Sequence, residues 1–187
     1  PMMSIMLPRA AVSANRIDEV LNEKSSIKDP ENPERLGEHK GVVSFNHVSF
    51  RYPNADADVL SDIDFVAKPG ETTAIVGSTG CGKSTLINLI PRLYDATQGS
   101  VLVDGHDVKN ITMEDLRSEI GYVPQKGVLF SGTIASNLRY GKDDATDAQI
   151  EEAASIAQAT EFIDSKSAKY DSPIAQGGTN VSGGQKQ

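Results

Sequence analysis

The chain has 187 residues and carries 26 acidic against 18 basic side chains, a formal net charge of −8. That length holds one moderate core, so one domain is the default. The acidic balance argues against a nucleic-acid surface, where basic stripes are expected. No apolar run reaches membrane-spanning length. The single cysteine, Cys81, excludes an internal disulfide and fits a reducing compartment.

In chain order, residues 1–7 are apolar and hold three of the four methionines. That is the composition of an end that continues into something greasier. Residues 9–22 read as a short amphipathic helix, with Ala11, Ile17, Val20 and Leu21 available as its apolar side. Residues 25–40 are polar, contain Pro30 and Pro33, and have the composition of a linker. A strand begins at Val42-Val43-Ser44-Phe45. Its alternation slips at Asn46-His47 and resumes at Val48, Phe50 and Tyr52, which predicts a bulge or turn. Ile63, Phe65 and Ala67 alternate in a second strand that ends at the turn Pro69-Gly70-Glu71. Thr72-Thr73-Ala74-Ile75-Val76 reads as a buried β-branched strand. Leu86-Ile87-Asn88-Leu89-Ile90 reads as a helix that stops before Pro91. Val101-Leu102-Val103 is a strand followed by the tight-turn pair Asp104-Gly105. Thr112 to Asp115 and Thr146 to Gln149 have capping-box spacing. The second opens a helix with Ile150, Ala153, Ala154 and Ala157 on one face. Gly121-Tyr122-Val123 reads as a short strand leading to Pro124-Gln125. The three histidines, His39, His47 and His106, show no metal-ligand spacing and read as ordinary polar residues.

Between the strand at 72–76 and the helix at 86–90 lies Gly77-Ser78-Thr79-Gly80-Cys81-Gly82-Lys83-Ser84-Thr85. This stretch fits the phosphate-binding P-loop pattern G-x-x-x-x-G-K-[ST], also called Walker A, at every fixed position. Glycines let backbone N–H groups turn inward around phosphates with no Cβ in the way. The helix that follows brings its unpaired N-terminal N–H groups and positive dipole end to the same point. Lys83 adds a mobile positive charge for the β- and γ-phosphates. The Ser84 hydroxyl suits Mg²⁺, which prefers oxygen ligands. Cys81 reads as a small residue that fits the loop; a sharper reading is that alkylating it blocks nucleotide binding.

Near the other end stands Thr179-Asn180-Val181-Ser182-Gly183-Gly184-Gln185. Ser182 and Gln185 have capping-box spacing and expose two glycines at a helix start. By itself this is as well read as a plain glycine-rich loop. Taken with the P-loop, it resembles the signature of ATP-binding-cassette (ABC) proteins, usually L-S-G-G-Q, with Val181 in place of the leading leucine. Phe50-Arg51-Tyr52-Pro53 resembles the family's aromatic loop, in which Tyr52 would stack on adenine. Tyr122-Val123-Pro124-Gln125 looks like its Q-loop, in which Gln125 would meet Mg²⁺ and the attacking water. Without the other motifs, Tyr52 would read as an edge-strand aromatic and Gln125 as a polar strand end. Residues 129–138 are similar to the segment where the ATPase domain of an ABC exporter meets the coupling helices of its membrane domain. Residues 8–21 resemble the exit from an exporter's last membrane helix. Ala175-Gln176-Gly177-Gly178 sits where exporters usually carry G-E-x-G, so Gln176 removes a charge and hints at one half of a heterodimer.

The resemblance implies an α/β fold: a P-loop NTPase core with an antiparallel β subdomain and a helical subdomain at about 126–182. It divides the chain into a membrane-helix connector at 1–24, a linker at 25–41 and a partial nucleotide-binding domain at 42–187. The family's aspartate-bearing strand, catalytic glutamate and switch histidine lie beyond the signature, so the C-terminal part of the core is expected to be missing. The parent would be an integral membrane exporter whose ATPase domains lie on the cytoplasmic face. It would hydrolyse MgATP at a head-to-tail dimer of nucleotide-binding domains. Gly77 to Thr85 would grip ATP in cis, while Ser182, Gly183, Gly184 and Gln185 would cap the γ-phosphate held by the partner. The 187-residue chain alone is expected to be inactive. Two other readings remain open at this point: a nucleotide-binding half-site without hydrolysis, and a soluble ABC ATPase that transports nothing.

Overall fold

The computed structural model describes residues 2–37 and 39–187, with side chains described from Met6 onward. Pro1, the start of the apolar opening run, and Glu38 in the polar stretch lie outside the described residues. The chain divides into two units, one ending at Gly121 and one running from Tyr122 to Gln187.

The first unit opens with helix α1 (Met2–Asn22), longer than the amphipathic segment expected at 9–22, and running through Pro8. Proline has no N–H for the preceding turn, so the helix forgoes one internal bond there. Ile17, Val20 and Leu21 are all exposed. Among the described residues nothing covers the apolar side of α1. No described helix is long and apolar enough to cross a membrane.

Strands β1 (Val43–Phe50), β2 (Leu60–Ala67), β3 (Gln98–Val103) and β4 (His106–Asp107) form an antiparallel sheet in the order β2-β1-β3-β4. The slip expected at Asn46-His47 is a bulge. Register shifts between Phe45 and Val48 against β2, and between Asn46 and Ser49 against β3. His47 takes a left-handed φ of 48° there. The extra residue lets Phe45, Val48 and Phe50 all turn into the core, where each is buried. Phe45 pairs with Phe65 across the ladder, and the rings stack at 4.8 Å. Asp104 and Gly105 close the β3–β4 hairpin with φ of 51° and 85°, the two positive values a type I′ turn needs. Helices α2 (Lys83–Leu89) and α3 (Met113–Ser118) complete this core through Leu86, Leu89 and Leu116. Thr112 caps α3 by accepting from the Asp115 N–H at 3.1 Å.

Two expected strands are not formed. Residues 72–76 carry no ladder, and Val76 is 88% exposed, while Ile75 packs against the core. Residues 121–123 likewise form no strand, and Val123 is exposed. A β-branched run becomes a strand only when a neighbouring strand pairs with it, and neither stretch belongs to a ladder among the described residues.

The described residues of the polar stretch 25–41 form no helix or strand, yet they are fastened to the sheet unit. The Glu34 N–H donates to the Asn110 carbonyl at 2.7 Å, and the Met113 N–H donates to the Asp29 carboxylate at 2.8 Å. The Glu34 carboxylate meets His106 at 2.7 Å and Asn110 at 3.0 Å. The bond to His106, then that to Asn110, hold the Glu34 carboxyl below its ordinary range. Burial pushes the Asp104 carboxyl up, but the N–H groups of Val42, Lys40 and Gly41 outweigh it and leave the group below its ordinary range. Leu36 packs against the core from the same stretch.

All three histidines face carboxylates: His39 on Glu119, His47 on Asp62 and Asp64, His106 on Glu34. At the bulge, the hydrogen bond from Asp62, followed by the charges of Asp62 and Asp64, raises the His47 pKa above its ordinary 6.5. A raised folded value means the folded state holds the proton more tightly. Its contribution to stability is therefore full below 6.5 and fades as the pH climbs through the raised value. Asp62→Asn is expected to bring the His47 titration midpoint down, as followed by the ring resonances in an NMR titration. An unmoved midpoint would contradict the assignment of Asp62 as the main cause.

The second unit is built from short pieces. Strands β5 (Gly132–Thr133) and β6 (Pro173–Ile174) pair antiparallel. Helices α4 (Ile134–Leu138), α5 (Asp147–Ile156), α6 (Thr160–Asp164) and α7 (Gly183–Lys186) surround a small core of Ile134, Ala154, Ile163 and Ile174. Helices α4 and α5 start in reciprocal capping boxes, Thr133 with Ser136 and Thr146 with Gln149, and each N-cap is worth about 1 kcal/mol. On α5 only Ile150 and Ala154 are buried; Ala153 and Ala157, expected on the same apolar face, are exposed. The core is narrow, and a four-residue step along the helix is all it covers.

Candidate functional site

The P-loop residues follow the stretch 72–76 and run into the first turn of α2. Gly80 and Gly82 have φ of 83° and 89°, a region that glycine enters without a steric penalty. A Cβ on Gly82 would lie 2.9 Å from a Leu60 methyl and 3.2 Å from the Val59 carbonyl oxygen. One on Gly77 would lie 2.6 Å from the Cys81 Sγ. Gly82, with its positive φ and the Val59 carbonyl against it, admits no side chain without strain, whereas a Cβ on Gly77 would require the Cys81 side chain to move.

Helix α2 starts at Lys83 with no side chain capping it. Its first-turn N–H groups are left for a ligand in the loop, where the dipole favours negative charge. The Lys83 Nζ curls back over the loop and donates to the carbonyls of Gly77 at 2.9 Å and Ser78 at 2.7 Å. It also reaches the Cys81 Sγ at 3.6 Å. Ser78, Thr79, Cys81 and Ser84 are exposed, whereas Thr85 is buried. The loop therefore offers an outward rim of hydroxyls and N–H groups with one ammonium over it, the chemistry of a polyphosphate cradle.

Tyr52 follows β1 and stands beside this loop. Its hydroxyl is 2.9 Å from the Thr85 Oγ1. Its ring meets Phe50 edge-on at 4.8 Å and Tyr94 edge-on at 5.3 Å. The first unit thus brings Tyr52 and Gly77 to Thr85 together. The Tyr52–Thr85 link and the Tyr94 contact have no signature in the sequence, because each joins residues that only the folded β1–α2 packing makes neighbours.

Gln125 and Ser182 to Gln185 belong to the second unit. Gln125 is exposed. Ser182 accepts from the Gln185 N–H at 3.3 Å, and its own N–H donates to the Gln185 Oε1 at 2.9 Å, a complete capping box that opens α7. Gly183 and Gly184 are exposed at that helix start, and Val181 packs against the small core. The Q-loop residues lie against α7. Gln187 donates to the Pro124 carbonyl at 3.3 Å, and a Cβ on Gly127 would lie 2.7 Å from the Lys186 carbonyl oxygen. Gly127 is a further required glycine, recognisable only from that close approach. Among the described residues no grouping of His, Cys, Asp and Glu could hold a metal ion.

Residues 60–187 match the family model for the ABC transporter. The chain belongs to the ABC transporter family. An uncharacterized ABC transporter ATP-binding protein of Mycobacterium tuberculosis is 50% identical over 97% of this chain and 32% of that protein. A second, from Bacillus subtilis, is 46% identical over 100% of this chain and 32% of its own length. Among solved structures, a bacterial Atm1-family ABC exporter with ATP bound superposes with a TM-score of 0.88 and 34% identity. That match covers 96% of this chain and 31% of the exporter chain. The chain spans about a third of the length of the curated relatives it matches. The mixed α/β fold with an antiparallel sheet is that of the family, as the pairing of P-loop and signature implies.

Proposed function

We propose that the chain is the ATP-binding part of an ABC exporter, gripping MgATP in the loop Gly77 to Thr85 and working against a second nucleotide-binding domain. The observation that carries this reading is the loop itself, with Lys83 over its carbonyls and α2 uncapped beneath it. Lys83 would leave those carbonyls for the β- and γ-phosphate oxygens, a stronger, charge-assisted partnership. Tyr52 would stack on the adenine. Ser182, Gly183, Gly184 and Gln185 would cap the γ-phosphate of the partner domain's nucleotide. Gln125 would orient the attacking water.

Mg²⁺ fits this donor set without a carboxylate cage, since it keeps several waters and takes phosphate oxygens as ligands. The exposed Ser84 hydroxyl at the head of α2 would be one of its oxygen ligands. When bound, the ion would neutralise charge on the β- and γ-phosphate oxygens. The membrane domain of the same transporter and the cytoplasmic face of the cell membrane are the partner and location this reading requires. The exporter that superposes on the chain supports it, as does the exposed stacked pair Phe130–Tyr140 beside α4, at 4.6 Å. The intact protein in lipid vesicles is expected to bind and hydrolyse MgATP; failure to do either would overturn the proposal.

A further inference from the structure

Phe50, Tyr52 and Tyr94 form one aromatic group. Phe50 and Tyr52 come from the end of β1, while Tyr94 comes from the segment that leaves α2. That segment is locked in place. The Leu93 N–H donates to the Asn88 carbonyl at 3.0 Å, and Arg92 pairs with Asp95 at 2.8 Å. Arg117 donates to the carbonyls of Pro91 at 3.0 Å and Arg92 at 3.2 Å. Arg92 itself is buried, with φ of 52°. Tyr94 is thereby presented on a rigid mount, edge-on to Tyr52 at an interplanar angle of 88°. Phe50 meets the Tyr52 ring at 84°, and the Tyr52 hydroxyl is tied to Thr85 in the first turn of α2. Two perpendicular rings and one hydrogen bond leave the Tyr52 plane little freedom to rotate.

We infer that Tyr94 is a positioning residue for nucleotide binding: it holds the plane of Tyr52 so that a purine base can stack on it. This rests on the reading of Gly77 to Thr85 and Tyr52 as the ATP site. Stacking pays only when the ring is already in place, because a ring free to rotate must be ordered on binding. Base–aromatic stacking is a substantial share of affinity where it has been measured, and a misaligned ring keeps part of it. The ring contacts of Tyr94 are with Phe50 and Tyr52.

The test is equilibrium binding to the intact protein of MgATP and, separately, of inorganic tripolyphosphate with Mg²⁺. Tyr94→Ala is expected to weaken MgATP binding by roughly three- to tenfold, with tripolyphosphate unchanged. Tyr94→Phe keeps the perpendicular ring and is expected to restore MgATP affinity. An equal loss for both ligands would reduce Tyr94 to a structural residue and overturn the inference, as would unchanged MgATP binding. Tyr52→Ala separates the two levels. If it leaves MgATP affinity untouched, the stacking role of Tyr52 fails; if it weakens MgATP while Tyr94→Ala does not, only the role of Tyr94 fails.

Discussion

Lys83→Ala is expected to lower MgATP turnover by the intact protein by at least about a hundredfold, the usual consequence of removing one preorganised charge donor from a developing anion. The expectation follows from where the ammonium sits. Lys83 is the one basic residue between Gly77 and Thr85, and its Nζ already lies over the loop, on the carbonyls of Gly77 and Ser78. Those bonds hold the side chain at the mouth of the cradle, ready to be exchanged for phosphate oxygens. Alanine suits a helix start as well as lysine does, and the core contacts of α2 come from Leu86 and Leu89, so folding should be spared. Lys83→Arg should not rescue, because a planar guanidinium cannot act as a compact point charge in so narrow a loop. Steady-state phosphate release measures the effect, and near-normal turnover by Lys83→Ala would contradict the assigned role.

Gly99→Ala is expected to be the most damaging small substitution in the sheet, costing roughly 2–4 kcal/mol and lowering the melting temperature by several degrees. Gly99 has φ of 74°, and a Cβ there would be driven into the carbonyl oxygens of Asn46 and His47, with the His47 carbonyl carbon 2.6 Å away. Neither oxygen can retreat. The bulge that places them is held from both sides by Phe45 and Val48, which are fully buried. Gly105→Ala is the natural comparison: its φ is also positive, at 85°, but open space surrounds it. It should cost only the left-handed backbone penalty, about 1 kcal/mol. Thermal unfolding of the two variants checks the difference; equal melting temperatures would show that the bulge yields.

What could be read from the sequence depended on how local its cause was. Thr146 and Ser182 form the capping boxes their spacing predicts, and Thr112 forms the N-cap half of one without the reciprocal bond, because a cap is decided within four residues. The Asp104-Gly105 turn and the Asn46-His47 bulge are local in the same sense. The stretches at 72–76 and 121–123 have strand composition and no strand, since a ladder is a property of two segments and composition describes one. The polar segment 25–41 reads as a linker, yet Glu34 and Asp29 fasten it to residues more than seventy positions away, a distance over which residue patterns carry no signal. The same holds at the site. The glycines and Lys83 announce themselves by spacing, whereas the coupling of Tyr52 to Thr85 and Tyr94 exists only once β1 lies against α2.

Nucleotide phosphates are expected to occupy the loop from Gly77 to Thr85. Cys81 reports on this directly: it lies in the loop, is exposed, and is the only cysteine in the sequence. Alkylation of Cys81 by a maleimide, followed by peptide mass spectrometry on the intact protein, should slow as MgATP is added. The slowing should follow occupancy, about tenfold at ten times the dissociation constant. An alkylation rate that does not change when MgATP is bound would contradict nucleotide occupancy of this loop.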